Sequence, residues 1–87
     1  MYLHMGKHTV VSHKAIIGIF DLDVTSQSPH TRAFLERAQK AGAVTAVSRE
    51  LPASFVLCQR DGKPSVYLSQ ISAATLGKRF RNNVLDR

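Results

Sequence analysis

The chain has 87 residues and a mass of 9.6 kDa, which leaves room for one domain around a small core. Hydrophobic residues make up 44% of it, which is enough for a packed core and excludes a disordered chain. The formal net charge is +6, and residues 49–87 carry +4 of it, so the charge favours a nucleic-acid partner.

The sequence excludes a helical membrane span and an intramolecular disulfide. The longest apolar run, Ala15–Phe20, is far shorter than the roughly 20 residues of a membrane span, and no secretory signal pattern is present. We therefore expect a cytoplasmic protein without a membrane partner. The single cysteine, Cys58, excludes an intramolecular disulfide, and its apolar neighbours predict a buried structural thiol.

The first twenty residues predict extended structure. Tyr2–Met5 and Thr9–Val11 flank a turn at Gly6 and predict a hairpin. Ala15–Phe20 is rich in β-branched residues and apolar on both sides, which predicts a central strand, with Gly18 marking a bulge or a close approach.

A helix is predicted from about residue 29 to residue 41. Ser28 is a good N-cap, Pro29 suits the first helical position, and Gly42 provides the stop. The spacing of the apolar residues predicts one packed face. That face carries Phe34, Ala38 and Ala41.

The next segment predicts three strands. Ala43–Val47 is followed by a loop, Ser48–Pro52, and loops of this kind often carry function. Ser54–Arg60 and Ser65–Ser69 are predicted strands joined by a hairpin turn at Asp61, Gly62 and Lys63.

Ser72 is predicted to cap a final helix, so the C-terminal helix begins at about residue 72. Its inward face carries Ala73, Leu76 and Phe80. Its outward face carries Lys78, Arg79 and Arg81. Residues 1–87 are therefore predicted to form a single α/β (α+β) domain, with a small, largely antiparallel sheet and two helices.

One segment resembles a catalytic motif. Phe20–Thr25 looks like the nucleophile motif of haloacid-dehalogenase-type phosphatases, in which Asp21 would attack phosphorus and Asp23 would act as acid and base. That family usually has glycine where this chain has Val24, and it needs a downstream acidic pair that the chain lacks. We therefore expect Asp21 and Asp23 to be strand-end and turn residues.

No cofactor, metal or catalytic residue is predicted. The spacing of the four histidines matches no zinc pattern, and no cysteine or carboxylate supports them. They are His4, His8, His13 and His30. The sequence also lacks both glycine-rich phosphate-binding fingerprints.

Six basic residues are candidates for contact with nucleic acid. Lys78, Arg79 and Arg81 can face phosphates or simply complement the dipole of the last helix. Arg49 and Lys63 lie at predicted turns, from which a side chain can project onto a phosphate, although such residues are often inert. The sixth, Lys14, follows from the family resemblance.

A series of collinear segments carries that resemblance, and together they extend from residue 1 to about residue 80. The segments are Met1–Gly6, Ile16–Asp21, Phe34–Leu35, Ser54–Val56, Val66–Ser69 and Thr75–Arg79. In this order they resemble the Rem family of small bacterial extracellular-matrix regulatory proteins, and the RemB branch more than the RemA branch.

The resemblance implies a cytoplasmic transcriptional regulator of biofilm-matrix genes that binds duplex DNA as a homo-oligomer, with a ring as the implied form. In RemA the loop before the penultimate strand carries adjacent arginines, and Arg49 lies in the matching loop here. Glu50, Leu51 and Pro52 follow it, so part of the basic pair is missing. Lys14 lies near a second basic position.

Three functions thus remain, in decreasing order of support. The first is a non-enzymatic DNA-binding regulator that neutralises phosphates with little base readout. The second is a protein-interaction module without DNA affinity, which the Glu50–Pro52 loop favours. The third is the phosphatase. Self-association is expected as well, because a small core with exposed strand edges gains by burying them against copies of itself.

Overall fold

A computed structural model describes residues 1–25 and 27–85, and these residues form two β-sheets, three α-helices and one 3-10 turn. The elements in chain order are β1 (Tyr2–His4), β2 (Val10–Ser12), the 3-10 turn (His13–Ala15), β3 (Ile16–Asp21), α1 (Leu22–Thr25), α2 (Pro29–Lys40), β4 (Val44–Ala46), β5 (Ser54–Arg60), β6 (Lys63–Ser69) and α3 (Ala73–Leu85). None of these helices is long and apolar enough to cross a membrane.

The sheets are mostly antiparallel, which confirms the predicted α+β class. β1 and β2 form the predicted hairpin as a separate two-stranded sheet. The larger sheet has the order β3-β5-β6-β4, in which only the β4–β6 pair is parallel. The sequence predicted two helices, and the structure adds the four-residue α1, which no cap or periodicity signal had marked.

The prediction of a central strand at Ala15–Phe20 is wrong. This segment forms β3, which pairs only with β5 and lies at the edge of the larger sheet. An apolar run does not report whether both edges of a strand are paired, and Ile17 in this run is 56% exposed. The predicted bulge is confirmed, because the register shifts between Ile16 and Gly18. A Cβ atom on Gly18 would lie 2.6 Å from the Phe20 ring, so only glycine fits there without a shift.

The capping signals located α2 to within one residue. Ser28 Oγ accepts a hydrogen bond from the Thr31 N–H group at 3.5 Å, and Pro29 occupies the first turn. The helix ends at Lys40, with Ala41 as its C-cap. Ala41 is exposed, so its placement on the packed face was wrong, because the C-cap has already left the helical repeat.

The last helix also agrees with its prediction. Ser72 Oγ accepts a hydrogen bond from the Thr75 N–H group at 3.1 Å, as an N-cap does. Leu76 is fully buried, and Ala73 and Phe80 are half-buried. The three predicted outward bases, Lys78, Arg79 and Arg81, are all exposed.

The β5–β6 hairpin is tighter than predicted. Asp61 and Gly62 alone form the turn, with φ angles of 55° and 76°, which is the mirror-image geometry that suits the twist of a hairpin. β6 therefore starts at Lys63, two residues before the predicted start, and Lys63 pairs with Arg60.

The core lies between the larger sheet, the β1–β2 hairpin and α3. Its buried members are Leu3, Met5, Val11, Val56, Cys58 and Leu76. The buried Ser69 hydroxyl donates to the Met5 carbonyl at 2.8 Å and accepts from the Ile71 N–H group at 3.1 Å, which joins the hairpin to the sheet and to the segment before α3. The predicted burial of Cys58 is confirmed, since only 2% of the residue is exposed.

The opposite face of the sheet is covered less completely. No residue of α2 is fully buried, and two open cavities of about 290 and 460 Å³ separate this helix from the sheet. Phe34 lines both cavities, and we call the two together the α2 groove. Phe20, Phe55 and Leu57 line the smaller part.

Candidate nucleic-acid interface

The strand register sorts the candidate bases between two ends of the larger sheet. At one end Asp21 pairs with Ser54, close to the loop of residues 47–53; we call it the loop end. At the other end Ile16 pairs with Cys58, close to the 3-10 turn and the β5–β6 turn; we call it the turn end. The seven residues of β5 separate the two ends by about 20 Å.

Arg49 lies at the loop end and is exposed. Backbone hydrogen bonds hold both sides of its loop to β6, from Val47 N–H to Leu68 O at 2.9 Å and from Ala53 N–H to Ser69 O at 2.8 Å. At the tip, Ser48 Oγ accepts from the Glu50 N–H group at 3.1 Å. The loop is therefore a short, ordered turn that presents Arg49 to solvent.

Lys14 and Lys63 lie at the turn end, and both are exposed. Lys14 is the middle residue of the 3-10 turn, where its N–H group donates to Ser12 Oγ at 3.3 Å. Lys63 follows the tight hairpin turn. Arg60, its partner across the hairpin, is also exposed and adds a cation that the sequence analysis missed. An arginine and a lysine flanking an Asp-Gly turn were the available signal.

The bases of α3 approach the turn end along the helix. Phe80 stacks on His13 with ring centroids 4.3 Å apart, so α3 passes beside the 3-10 turn that carries Lys14, and Arg81 is the next residue along the helix. The Arg79 guanidinium donates to the His4 carbonyl at 3.1 Å, which ties it to β1. Lys78 lies one residue further towards the loop end.

The structure therefore does not gather the six candidates into one patch. Lys14 and Lys63, joined by Arg60, share the turn end, with Arg81 next to the 3-10 turn. Arg49 is alone among the candidates at the loop end. A duplex that contacts Arg49 and the turn-end bases of the same subunit would have to extend along about 20 Å of the sheet.

Comparison with known proteins assigns the chain to a family. It is 38% identical over 79 residues to the extracellular matrix regulatory protein B of Bacillus subtilis (strain 168). The aligned region covers 91% of this chain and 89% of that protein. The chain belongs to the Rem family of extracellular-matrix regulatory proteins. No family model matches the chain.

Membership of the Rem family, on the side of its RemB branch, confirms the prediction made from the collinear segments. Several of those segments supply buried structure to this Rem-family fold and not exposed contacts. Leu3, Met5, Phe55, Val66 and Leu76 are all buried. The collinear resemblance therefore reports the shared core, which explains why it identified the family but did not locate a site.

The two aspartates of the phosphatase-like segment lie at the loop end, where β3 runs into α1. Asp21 ends the strand, and its Oδ1 atom accepts a hydrogen bond from the Val24 N–H group at 3.2 Å. Asp23 lies in the single turn of α1 and is exposed. These are the strand-end and turn positions that the sequence predicted.

The described histidines do not converge. His4 Nε2 lies 3.0 Å from the Lys7 carbonyl in the first hairpin, His13 stacks on Phe80, and His30 lines the smaller part of the α2 groove. Within residues 1–25 and 27–85, no group of three or more histidine, cysteine or acidic side chains is arranged to hold a metal ion.

Proposed function

We propose that this protein is a cytoplasmic regulator of extracellular-matrix genes, which in a bacterium are the genes of the biofilm matrix. The observation that carries the proposal is the 38% identity, over nearly the whole of both chains, to a protein named as an extracellular matrix regulator. A similarity of this extent includes the core and both ends of the sheet, so it supports the same kind of role.

The proposed mechanism is non-enzymatic binding of duplex DNA through phosphates. The net charge of +6 and the exposure of every candidate base support it. One subunit offers Arg49 alone at the loop end and a few bases at the turn end, and either set would bind weakly. A homo-oligomer, and in particular a ring, repeats the same end many times, and linked weak sites bind together far more tightly than each alone.

In this mechanism no metal, cofactor or catalytic residue takes part. Asp21 and Asp23 would serve the β3–α1 connection, and the bases would supply charge alone. DNA would be held along a multivalent surface and bent over it, so sequence preference would come from deformability more than from base edges.

A protein-interaction module without DNA affinity is the second candidate function. The observation that favours it is Leu51, which is 89% exposed at the tip of the loop that carries Arg49. An apolar side chain displayed in this way is typical of a contact with protein. Exposure of Leu51 is also compatible with DNA binding if the protein that it contacts is another copy of the chain.

The test is a salt titration of duplex binding with the parent and the Arg49→Ala variant. If each subunit places Arg49 on a phosphate, the variant binds unrelated duplexes more weakly. The slope of log affinity against log salt should then flatten by about 0.9 for each phosphate that the variant no longer neutralises. Lys40→Ala is the matched control, because Lys40 is an exposed base on α2 outside the candidate set.

Three outcomes separate the candidates. Weaker binding by Arg49→Ala but not by Lys40→Ala supports the proposed DNA interface. Equal affinity and slope in all three proteins removes Arg49 from the interface and leaves the turn-end bases to be tested. Negligible binding by the parent favours the protein-interaction module. Folding should survive, because an exposed loop substitution usually changes stability by less than about 0.5 kcal/mol.

A further inference from the structure

We infer that Leu51 of one subunit inserts into the α2 groove of the next, with Glu50 pairing with Arg37 at the rim, and that this head-to-tail contact assembles the protein. The inference deepens the proposed function and rests on its homo-oligomer, because it names the surfaces that join the subunits. It assigns a role to Glu50 and Leu51, the residues of the Arg49 loop that phosphate binding does not explain.

Leu51 has the properties of an anchor. It is 89% exposed, more than any other large hydrophobic residue among those that the structure describes. Pro52 follows it and restricts Leu51 to extended backbone, while the Ser48–Glu50 hydrogen bond orders the loop tip. The side chain is therefore displayed by an ordered loop, and little conformational freedom remains to be lost on binding.

The larger part of the α2 groove has the properties of the acceptor. Its cavity of about 460 Å³ lies within the usual size range of binding pockets, and apolar atoms of Phe34, Ala38, Pro64 and Val66 line it. Arg37 and Lys63 line it as well, whereas no carboxylate among the described residues does. The acceptor is an apolar slot with positive charge beside it.

The charges of the two surfaces are complementary. Glu50 precedes Leu51 directly, and its carboxylate is exposed, with one oxygen held only by a 3.4 Å hydrogen bond from Ser48. When Leu51 enters the slot, the adjacent carboxylate arrives where Arg37 and Lys63 lie. A partner with an apolar side chain next to a carboxylate is what the slot selects, and this chain carries one.

The anchor and the slot lie at opposite ends of the parallel β4–β6 pair. Ala43 and Lys63, which line the slot, directly precede β4 and begin β6, whereas the loop of residues 47–53 follows the ends of both strands. Leu51 is 89% exposed in its own subunit, so it does not occupy the slot of that subunit. The contact is therefore made between subunits. Surfaces at opposite ends give head-to-tail association, which closes into a ring when the rotation allows it.

The experiment measures the mass of the free protein by light scattering or sedimentation at tens of micromolar. The parent should be an oligomer. Leu51→Gln, which lacks the anchor, and Arg37→Glu, which repels Glu50, should both dissociate, because removal of a buried leucine weakens each interface by about tenfold to a hundredfold. Val10→Thr is the control, since Val10 is an exposed apolar residue on β2 that belongs neither to the loop nor to the lining of the slot.

A mixture of the two dissociated variants provides the sharpest result. Leu51→Gln keeps an intact slot and Arg37→Glu keeps an intact anchor, so one contact forms and the mixture should yield dimers and nothing larger. The double variant Glu50→Arg with Arg37→Glu should regain the parent mass. Circular dichroism of each single variant confirms that dissociation is not unfolding.

A parent mass retained by folded Leu51→Gln, or a mixture without dimers, would overturn the head-to-tail contact, and a different occupant or interface would then be indicated. Duplex binding that still depends on Arg49 would in that case leave the proposed function standing. A monomeric parent would overturn both the contact and the proposed oligomer.

Discussion

The two faces of the larger sheet differ in how completely they are covered. On one face, α3 and the β1–β2 hairpin bury Leu3, Met5 and Leu76 against Val56 and Cys58. On the other face, Phe55 and Val66 of the sheet are buried, but no residue of α2 is itself fully buried, and the groove that Phe34 lines remains open. We call these the closed face and the open face.

The difference shows how stability and assembly are divided in a small domain. A chain of this size buries only about 60% of its unfolded surface, so one well-packed face must supply most of its stability. The open face retains apolar surface that a second chain can cover. The same composition thus yields a monomer that can fold and an apolar surface to which we assign the proposed subunit contact.

The largest expected effect is on the free energy of unfolding when one packed residue from each face is replaced by alanine. Leu76→Ala should lower the free energy of unfolding by about 3 kcal/mol, because Leu76 is fully buried and its removal leaves a cavity. Phe34→Ala should lower it by only about 1 kcal/mol, since Phe34 is half-buried beside space that is already empty. Urea denaturation at concentrations low enough for free subunits measures both.

Equal changes in these two variants would show that α2 packs as tightly as α3, and the distinction between the faces would fail. A larger change in Phe34→Ala would reverse it. Both outcomes would also weaken the case for the α2 groove as a docking surface, because a groove that is closed in solution cannot accept Leu51.

A serine from each face gives a second, smaller contrast. Ser69→Ala should cost about 1 to 3 kcal/mol, because it leaves the Met5 carbonyl and the Ile71 N–H group buried without their partner. Ser28→Ala removes the N-cap of α2, whose hydrogen bond is long at 3.5 Å, and should cost about 0.5 kcal/mol. Thermal unfolding of the two variants side by side tests this order, which a smaller effect in Ser69→Ala would contradict.

Features that depend on neighbouring residues could be predicted from the sequence. Caps at Ser28 and Ser72 located two helices, and the Asp61–Gly62 pair located the hairpin, because each depends on residues within one turn of chain. The inward face of α3 was also correct. In each case the periodicity or cap operates over a few residues, and the rest of the fold does not alter it.

The arrangement of strands and helices that are distant in sequence could not be predicted. The apolar run in β3 was assigned to the centre of the sheet, since burial of both faces and pairing of both edges leave the same pattern in a sequence. Arg49 and Lys63 were grouped because both lie at predicted turns, although the register places them at opposite ends of the sheet. The α2 groove depends on how far a helix stands from a sheet, which side-chain periodicity does not report.

The smallest expected effect tests whether the closed face excludes water. Burial raises the pKa of the Cys58 thiol, and the charge of Arg60 only partly opposes the rise. The unfolded chain therefore loses this proton at a lower pH than the folded protein. The contribution of the neutral thiol to stability is fully present below the unfolded pKa of about 8.5 and is lost as the pH rises through the folded pKa, by at most about 1.4 kcal/mol per pH unit.

Comparing the free energy of unfolding of the parent and Cys58→Ala at about pH 7 and about pH 9.5 isolates this group, because the other titrating groups are shared. The advantage of the parent over Cys58→Ala should shrink at the higher pH. A constant difference between the two proteins would mean that water reaches the thiol, and the closed face would then be more open than its packing indicates.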